Sequence, residues 1–264
     1  MLLFVLSPIF SGCGNIPKDK VINTIQQNKP LIIYCENAIA PPIYELKKQF
    51  EKEYHCKVII QNDCAQNLIG LINYSNKGDL FIPSSRHSFG VLREKTEEEI
   101  LDSVFLGYNS IVFMVKKGNP KKFNGKLSLL TSKDLSLIIA NPETSSLGYE
   151  TRNFLKEGKI YDKVIKNIVS LSTDSKGLIK SLINNQSDLI INFASTIHIN
   201  GNINDVDIIP LEPKYQKTLE VYAGILSTTE NRELAESFMA FVNTSGSKSV
   251  LNKYGFSKRK TLIF

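Results

Sequence analysis

The amino-acid sequence predicts an α/β protein with two lobes, each built on a doubly wound parallel sheet. Short apolar runs typical of strands alternate with segments of helical periodicity along most of the chain. The 264 residues, 42% of them hydrophobic, reach the size at which one hydrophobic core tends to divide into two. The alternation therefore predicts the sheet type, and the length predicts two domains.

The first unit begins with an apolar strand at residues 31–34. Pro41 and Pro42 mark the first turn of the following helix, where proline is tolerated. Further apolar runs predict strands at 58–60 and 80–82, with a helix between them. Three strand-then-helix steps in such a short stretch favour parallel strands joined by crossover helices.

The second unit shows the same alternation of apolar strands and helices. Apolar runs predict strands at 110–115, 137–140 and 189–191, and a helix through Leu178 and Leu182 precedes the last of them. A further strand at 221–226 is followed by an amphipathic helix. No repeat of fixed period is visible.

The N-terminus has the pattern of an export signal. Residues 1–12 are apolar and uncharged, too short for a membrane-spanning helix of about 20 residues but suitable for the core of a signal peptide. The sequence 10–13, ending in Cys13, resembles the lipobox of bacterial lipoproteins. We expect a signal peptide at 1–12, a lipid anchor on Cys13 and a flexible tether at 13–29, with the mature protein in the periplasm or on the outer face of the cytoplasmic membrane. The alternative is a buried N-terminal strand.

Residues 137–156 suggest where a ligand could bind. An apolar strand stops at a turn rich in Asn, Pro, Thr and Ser and leads into a helix. The first N–H groups of a helix have no internal partner and attract anions. Because strand–turn–helix units are common in α/β proteins, this pattern alone is weak evidence for a site.

Composition argues against several other functions. The net charge of +6 comes from scattered lysines without a nucleic-acid recognition motif, so a solvated basic surface is favoured over nucleic-acid binding. There is no Cys-x-x-Cys pair and only three histidines, so neither a metal site nor a bound cofactor is expected. No nucleophile elbow or phosphate-cradling loop is present, so no catalytic residue is assigned. His87 is the one acid–base candidate, and it has no evident orienting partner.

Export would permit a disulfide bond. Cys35 and Cys64 each end a strand-like run, and neighbouring parallel strands could bring them together. The alternative is that both are free buried thiols.

The chain from Leu31 to Phe256 resembles the molybdate- and tungstate-binding proteins of bacterial ABC transporters, a branch of the type II periplasmic binding proteins. The matching segments are 33–38, 50–53, 78–82, 141–149 and 253–256. None is specific alone, but their order and spacing are. The resemblance implies a two-strand hinge, a first lobe of residues 30–106 plus 221–264, a second lobe of 107–220, and a cleft that closes over a tetrahedral oxyanion.

The implied cleft differs from the family at its side-chain donors. Ala38 and Ala65 stand where the family has binding serines, and Phe193 stands where it has a tyrosine. Hydrogen bonds to charged groups contribute about 1.5–3 kcal/mol each, so these losses place molybdate itself in doubt. Asn37 and Gln66, beside the two alanines, are candidate replacements.

Other candidates lie around the second lobe and the cleft mouth. The resemblance maps backbone donors to Leu147 and Ser175, and Arg86 could neutralise an anion. Glu36 opposes an anion unless it is turned away or paired. The candidate ligand-binding residues are Asn37, Ala38, Ala65, Gln66, Arg86, Ser146, Leu147, Gly148, Tyr149, Ser175, Asn192 and Phe193.

Together these observations predict a monomeric, lipid-anchored solute-binding protein that delivers a small oxyanion of the molybdate or tungstate type to an ABC permease. Another small anion or a polar organic solute is the alternative ligand. An enzyme, or a sensor module that docks on a receptor, could use the same fold.

Overall fold

The computed structural model describes residues 29–258; the expected signal peptide, Cys13 and nearly all of the expected tether lie outside them. The strands are β1 (Leu31–Glu36), β2 (Val58–Asp63), β3 (Leu80–Ile82), β4 (Ile100–Asn109), β5 (Ile111–Lys116), β6 (Leu137–Ala140), β7 (Ser170–Ser172), β8 (Leu189–Phe193), β9 (Val206–Ile209) and β10 (Leu219–Leu226). The α-helices are α1 (Ala40–Tyr54), α2 (Ala65–Ser75), α3 (His87–Lys95), α4 (Ser146–Glu157), α5 (Tyr161–Ile165), α6 (Ser175–Ile183), α7 (Arg232–Val242) and α8 (Ser245–Lys253). Short 3-10 helices cover Leu127–Thr131, Ala194–His198, Asn202–Asn204 and Pro213–Tyr215.

Two five-stranded sheets define the two lobes. The first lobe contains the sheet ordered β2-β1-β3-β10-β4, and the second lobe contains the sheet ordered β7-β6-β8-β5-β9. Strands β1, β2 and β3 pair in parallel, as do β6, β7 and β8, whereas β10 and β5 pair antiparallel with their neighbours. The predicted two-lobed α/β fold is confirmed, but each sheet is mixed. The antiparallel strands are those next to the lobe crossings, where the chain passes between sheets without a crossover helix.

Within residues 29–258, the chain crosses between the lobes at two places. Ser110 alone separates β4 from β5, and the segment 210–218 leads from β9 to β10. Asn109 ties the first crossing to the second lobe: its side-chain amide donates to the Ser195 hydroxyl at 2.9 Å, and its carbonyl accepts from the Ser110 and Ser195 N–H groups. All three residues are buried. This hydrogen-bonded crossing fixes where the lobes meet.

The helices follow the sequence signals. Helix α1 starts with Pro41 and Pro42 in its first turn, as predicted. Helix α4 is capped by Ser145, whose hydroxyl accepts from the Gly148 N–H at 3.0 Å. Gly148 is required for close packing, because a Cβ there would lie 2.1 Å from the carbonyl oxygen of Asn141.

Buried apolar side chains form one cluster around the second sheet and one on each face of the first sheet. Cys35 packs in the cluster beneath α1, α7 and α8, whereas Cys64 caps α2, whose apolar residues pack on the opposite face. Both are free thiols, as is Cys56. The disulfide hypothesis for Cys35 and Cys64 is therefore wrong, and Cys35 is instead enclosed in the apolar cluster on one face of the first sheet.

Candidate functional site

The lobes meet where β1 and β3 of the first lobe face the start of α4. β1 ends at Glu36, whose side chain is buried and reaches across to the second lobe. One Glu36 carboxylate oxygen accepts from the Ser84 N–H at 2.7 Å and from the Ser146 hydroxyl at 2.6 Å. The other accepts from the Ser146 N–H at 3.2 Å. We call these three donors the α4 cradle, because they converge on one carboxylate at the first turn of α4.

The Glu36 carboxylate depends on hydrogen bonds rather than on a cation. Burial raises the pKa of Glu36 above its ordinary value, and the hydrogen bonds from Ser146 and Ser84 oppose that rise. No ion pair to Glu36 is found in residues 29–258. The α4 cradle, including a helix N-terminus, is therefore what stabilises the charged form.

A second carboxylate crosses the cleft in the opposite direction. Ser85, on the first lobe, donates to Glu150 of α4 at 2.5 Å. Burial raises the pKa of Glu150, while the Ser85 hydrogen bond and the charge of Lys217 oppose that change. Thus each lobe presents a carboxylate to a serine on the other lobe, and the contacts favour the closed arrangement of the two lobes.

Further contacts close the cleft on either side of the α4 cradle. The Asn37 amide donates to the Asp174 carboxylate at 2.7 Å, which joins the turn after β1 to the cap of α6. The Gln66 N–H donates to the Thr144 carbonyl at 3.1 Å. Ala38 packs within the core cluster of the second lobe. Where the family resemblance implied a ligand contact, Ala38 makes an apolar contact between lobes.

An interlobe groove of about 300 Å³ remains beside these contacts. Its first-lobe wall is the turn after β1 with α1 and Asn62, and its second-lobe wall is α6 with the segment 196–202. The polar lining consists of Asn37, Tyr44, Asn62, Ser175, Lys176, Lys180, Thr196, Asn200 and Asn202. Among residues 29–258, no Asp or Glu lines it. The groove is therefore the part of the cleft best suited to an uncharged or anionic group.

Several candidate residues come together at the cleft. Ala65, Gln66, Ser146 and Tyr149 line a small cavity of about 40 Å³ between the lobes. The ring of Tyr149 stacks on His87, with centroids 3.4 Å apart and planes within 5°. Burial lowers the pKa of His87. This stacking pair fills the cleft between α3 and α4.

Other candidates serve the fold at their observed positions. Leu147 and Phe193 are buried in the second-lobe core, and the Gly148 N–H donates to the cap of its own helix. The Asn192 amide donates to the Ser175 carbonyl at 3.0 Å, and its own carbonyl accepts from the Phe193 N–H. This buried amide supports the start of α6 from behind.

Arg86 lies at the edge of the cleft. Its guanidinium is 3.6 Å from the Glu220 carboxylate and 5.3 Å from the centroid of the Tyr222 ring. Its side chain is 69% exposed. Because its charge is already paired with Glu220 on β10, Arg86 does not neutralise Glu36.

Sequence reasoning missed the residues that bridge the lobes. It expected Glu36 to oppose an anion unless turned away or paired, and it assigned Ser84, Ser85 and Asp174 no contact across the cleft. The useful signal was the unexplained charge at the end of an apolar strand, directly before the turn that contains Ala38. A buried carboxylate needs donors, and the nearest free donors of this fold type are helix starts.

Comparison with known proteins shows which family has this architecture. The family described as bacterial extracellular solute-binding protein matches residues 31–257. The chain belongs to this family. YvgL of Bacillus subtilis, which bears the name ABC transporter substrate-binding lipoprotein, is 23% identical over 251 residues, covering 94% of this chain and 93% of YvgL. Family membership thus makes this chain a solute-binding protein.

Solved structures confirm the type II periplasmic binding protein fold. The sulfate-binding protein of Mycobacterium tuberculosis has a TM-score of 0.75 at 13% identity, covering 86% of each chain. A periplasmic thiamin-binding protein has a TM-score of 0.72 at 14% identity, covering 89% of this chain and 84% of its own. The molybdate-binding protein of Azotobacter vinelandii has a TM-score of 0.69 at 16% identity, covering 86% of this chain and 98% of its own. These relatives share the fold and differ in ligand.

Two further features were sought among the described residues, a metal site and a membrane-spanning helix. Between residues 29 and 258, no group of three or more His, Cys, Asp or Glu side chains is placed to hold a metal ion. In the same part of the chain, no helix has the length and apolar character needed to cross a bilayer.

Proposed function

We propose that this solute-binding protein captures a small organic anion in the interlobe groove and releases it to an ABC permease. The observation that carries the proposal is the contrast between the two parts of the cleft. The α4 cradle already holds Glu36, whereas the described residues that line the groove offer amides, hydroxyls and two lysines but no carboxylate. A volume of about 300 Å³ lies at the lower end of the range for organic ligands.

Two lysines on α6 support an anionic group in the groove. Lys176 and Lys180 lie one turn apart on the wall of the groove, and their ammonium groups favour a carboxylate or phosphoryl group on the solute. The start of α6 itself is already capped by the Asp174 carboxylate, which accepts from the Gly177 N–H at 2.7 Å. Both lobes contribute to the lining, so a ligand there would favour the closed form.

Calorimetric titration against a panel of organic acids and phosphorylated organic compounds tests this proposal. Lys176→Ala should weaken binding of the panel member that binds best by about 2- to 5-fold, the range expected for one solvent-accessible ion pair. Lys163→Ala, which removes an exposed lysine on α5 outside the groove, is the matched control and should leave the affinity unchanged. Equal affinity in both variants and the wild type would place the ligand elsewhere.

An oxyanion of the molybdate or tungstate type is the second candidate. The α4 cradle favours it, because its donors converge on a single anionic group. Such a ligand would have to displace Glu36. The same titration with molybdate, tungstate, sulfate and phosphate distinguishes the candidates, and tight binding of molybdate or tungstate alone would favour the oxyanion.

Export and lipidation at Cys13 are proposed together. The lipobox-like sequence before Cys13 supports them, as does the lipoprotein name of the Bacillus relative. Labelling of expressing cells with a radioactive fatty acid should mark the wild type and Cys56→Ala but not Cys13→Ala. Equal labelling of Cys13→Ala would rule out Cys13 as the anchor.

A further inference from the structure

We propose that Glu36 determines the ligand specificity of the cleft by occupying, with its own carboxylate, the place at the α4 cradle that a free oxyanion would need. This inference rests on the proposed function only in assuming that the cleft captures a solute. It makes Glu36 a covalently attached substitute for an anionic ligand. The interlobe groove then remains as the space for solute.

The geometry of the carboxylate resembles that of a bound anion. Glu36 belongs to the first lobe, but two of its three donors come from Ser146 at the start of α4 in the second lobe. The third donor, the Ser84 N–H, comes from the turn after β3. Both oxygens are engaged, one of them at 2.6 and 2.7 Å, as expected for hydrogen bonds to a charged acceptor. A side chain used only to fill space would not need donors from both lobes.

The surroundings of Glu36 oppose a second anion. The groups facing its carboxylate are the backbone and hydroxyl of Ser84 and Ser146. The thiols of Cys35 and Cys64 lie nearby, and burial raises the pKa of each, with a smaller increase from the Glu36 charge. Ser88 contacts Ser146 from α3 at 2.8 Å and extends the same polar cluster. No cation within the described residues pairs with Glu36, so a free oxyanion would meet both occupied donors and a like charge.

Removing the carboxylate should convert the α4 cradle into an anion site. Glu36→Ala vacates a space of carboxylate size while leaving the donors of Ser84 and Ser146 in place. We expect this variant to bind formate, acetate or sulfate at least about 10-fold more tightly than the wild type, a gain of about 1.4 kcal/mol. Each anion should also raise its melting temperature in a concentration-dependent way.

Glu150→Ala is the matched control. Like Glu36→Ala, it removes a carboxylate from the cleft. The Glu150 carboxylate is partly buried and accepts from the Ser85 hydroxyl rather than from donors at a helix start. Glu150→Ala should gain no anion affinity. If folded Glu36→Ala binds these anions no better than the wild type, or if Glu150→Ala gains as much, the assignment is wrong.

A folding defect in Glu36→Ala still gives a result. Refolding in formate should then restore the native far-UV and near-UV spectra, whereas chloride at equal ionic strength should not. Equal failure in both salts would overturn the proposal. The organic-acid titration of the wild type tests solute binding in the groove separately. Solute binding in the groove and the role of Glu36 can therefore fail independently of each other.

Discussion

Ser146→Ala should destabilise the closed protein by removing both hydrogen bonds of one hydroxyl. The Ser146 hydroxyl donates to the buried Glu36 carboxylate at 2.6 Å, and a hydrogen bond to a charged group contributes about 1.5–3 kcal/mol. It also bonds the Ser88 hydroxyl at 2.8 Å, and a hydrogen bond between neutral groups contributes about 0.5–1.5 kcal/mol. The Ser146 N–H and Ser84 N–H remain on the carboxylate, so the total loss should be about 2–4.5 kcal/mol. For a protein of this size it corresponds to a fall in melting temperature of about 4–18 °C.

The pH dependence of the cost of Ser146→Ala tests whether its partner Glu36 is charged. Burial raises the pKa of Glu36, so this group favours folding most at pH below its ordinary value and loses that contribution as pH rises through the raised pKa. The Ser146 hydrogen bond opposes the rise, so Ser146→Ala should raise the pKa of Glu36 further. The cost of the mutation should therefore grow as pH increases through the interval between the two raised pKa values.

Urea unfolding of both proteins from acidic to mildly alkaline pH measures this cost. Ser181→Ala is the control, because the buried Ser181 hydroxyl bonds only neutral partners, the Leu178 carbonyl and the Ser187 hydroxyl. It should cost about 0.5–1.5 kcal/mol with little dependence on pH. A cost for Ser146→Ala that is no larger than the control and equally flat with pH would refute a charged Glu36 at the α4 cradle.

Substitutions at Gly148 and Asn109 test the packing and hydrogen bonding around the cleft, with Gly90→Ala as a control for the first. Gly148→Ala would place a Cβ 2.1 Å from the Asn141 carbonyl oxygen, whereas Gly90→Ala in α3 meets nothing within 4 Å. The first should cost about 3 kcal/mol or more and the second should be neutral or gain up to about 1 kcal/mol; equal melting temperatures would contradict this packing. Asn109→Ala removes an amide that bonds Ser195 at the lobe crossing and should lower stability by about 2 kcal/mol or more, and an unchanged urea midpoint would show that the crossing does not depend on it.

The strongly apolar strands could be predicted from sequence because burial on both faces leaves a continuous apolar run. Residues 137–140 and 189–191 were recognised in this way, and β6 and β8 are central in the second sheet. β7 and β9 were missed because they are short, partly exposed edge strands with weak patterns. β4 was missed because half-exposed and polar residues fill its first half.

The turn at the start of α4 could be recognised from sequence, but the contacts made there could not. The start of α4 was recognised from its turn sequence, and the structure places that turn at the meeting of the lobes. Residues Glu36 and Ser146 are 110 positions apart, so no local pattern could pair them. Whether a buried carboxylate opposes an anion or replaces it depends on which donors the fold brings to it.

A crystal structure of the wild-type protein soaked in tungstate, whose anomalous scattering marks its position, tests directly whether Glu36 keeps a free anion out of the α4 cradle. We expect no tungsten peak at the α4 cradle and an intact contact between the Ser146 hydroxyl and Glu36 at about the 2.6 Å found in this structure. A tungsten peak within hydrogen-bond distance of the Ser146 N–H, with Glu36 displaced, would show that Glu36 does not exclude the anion.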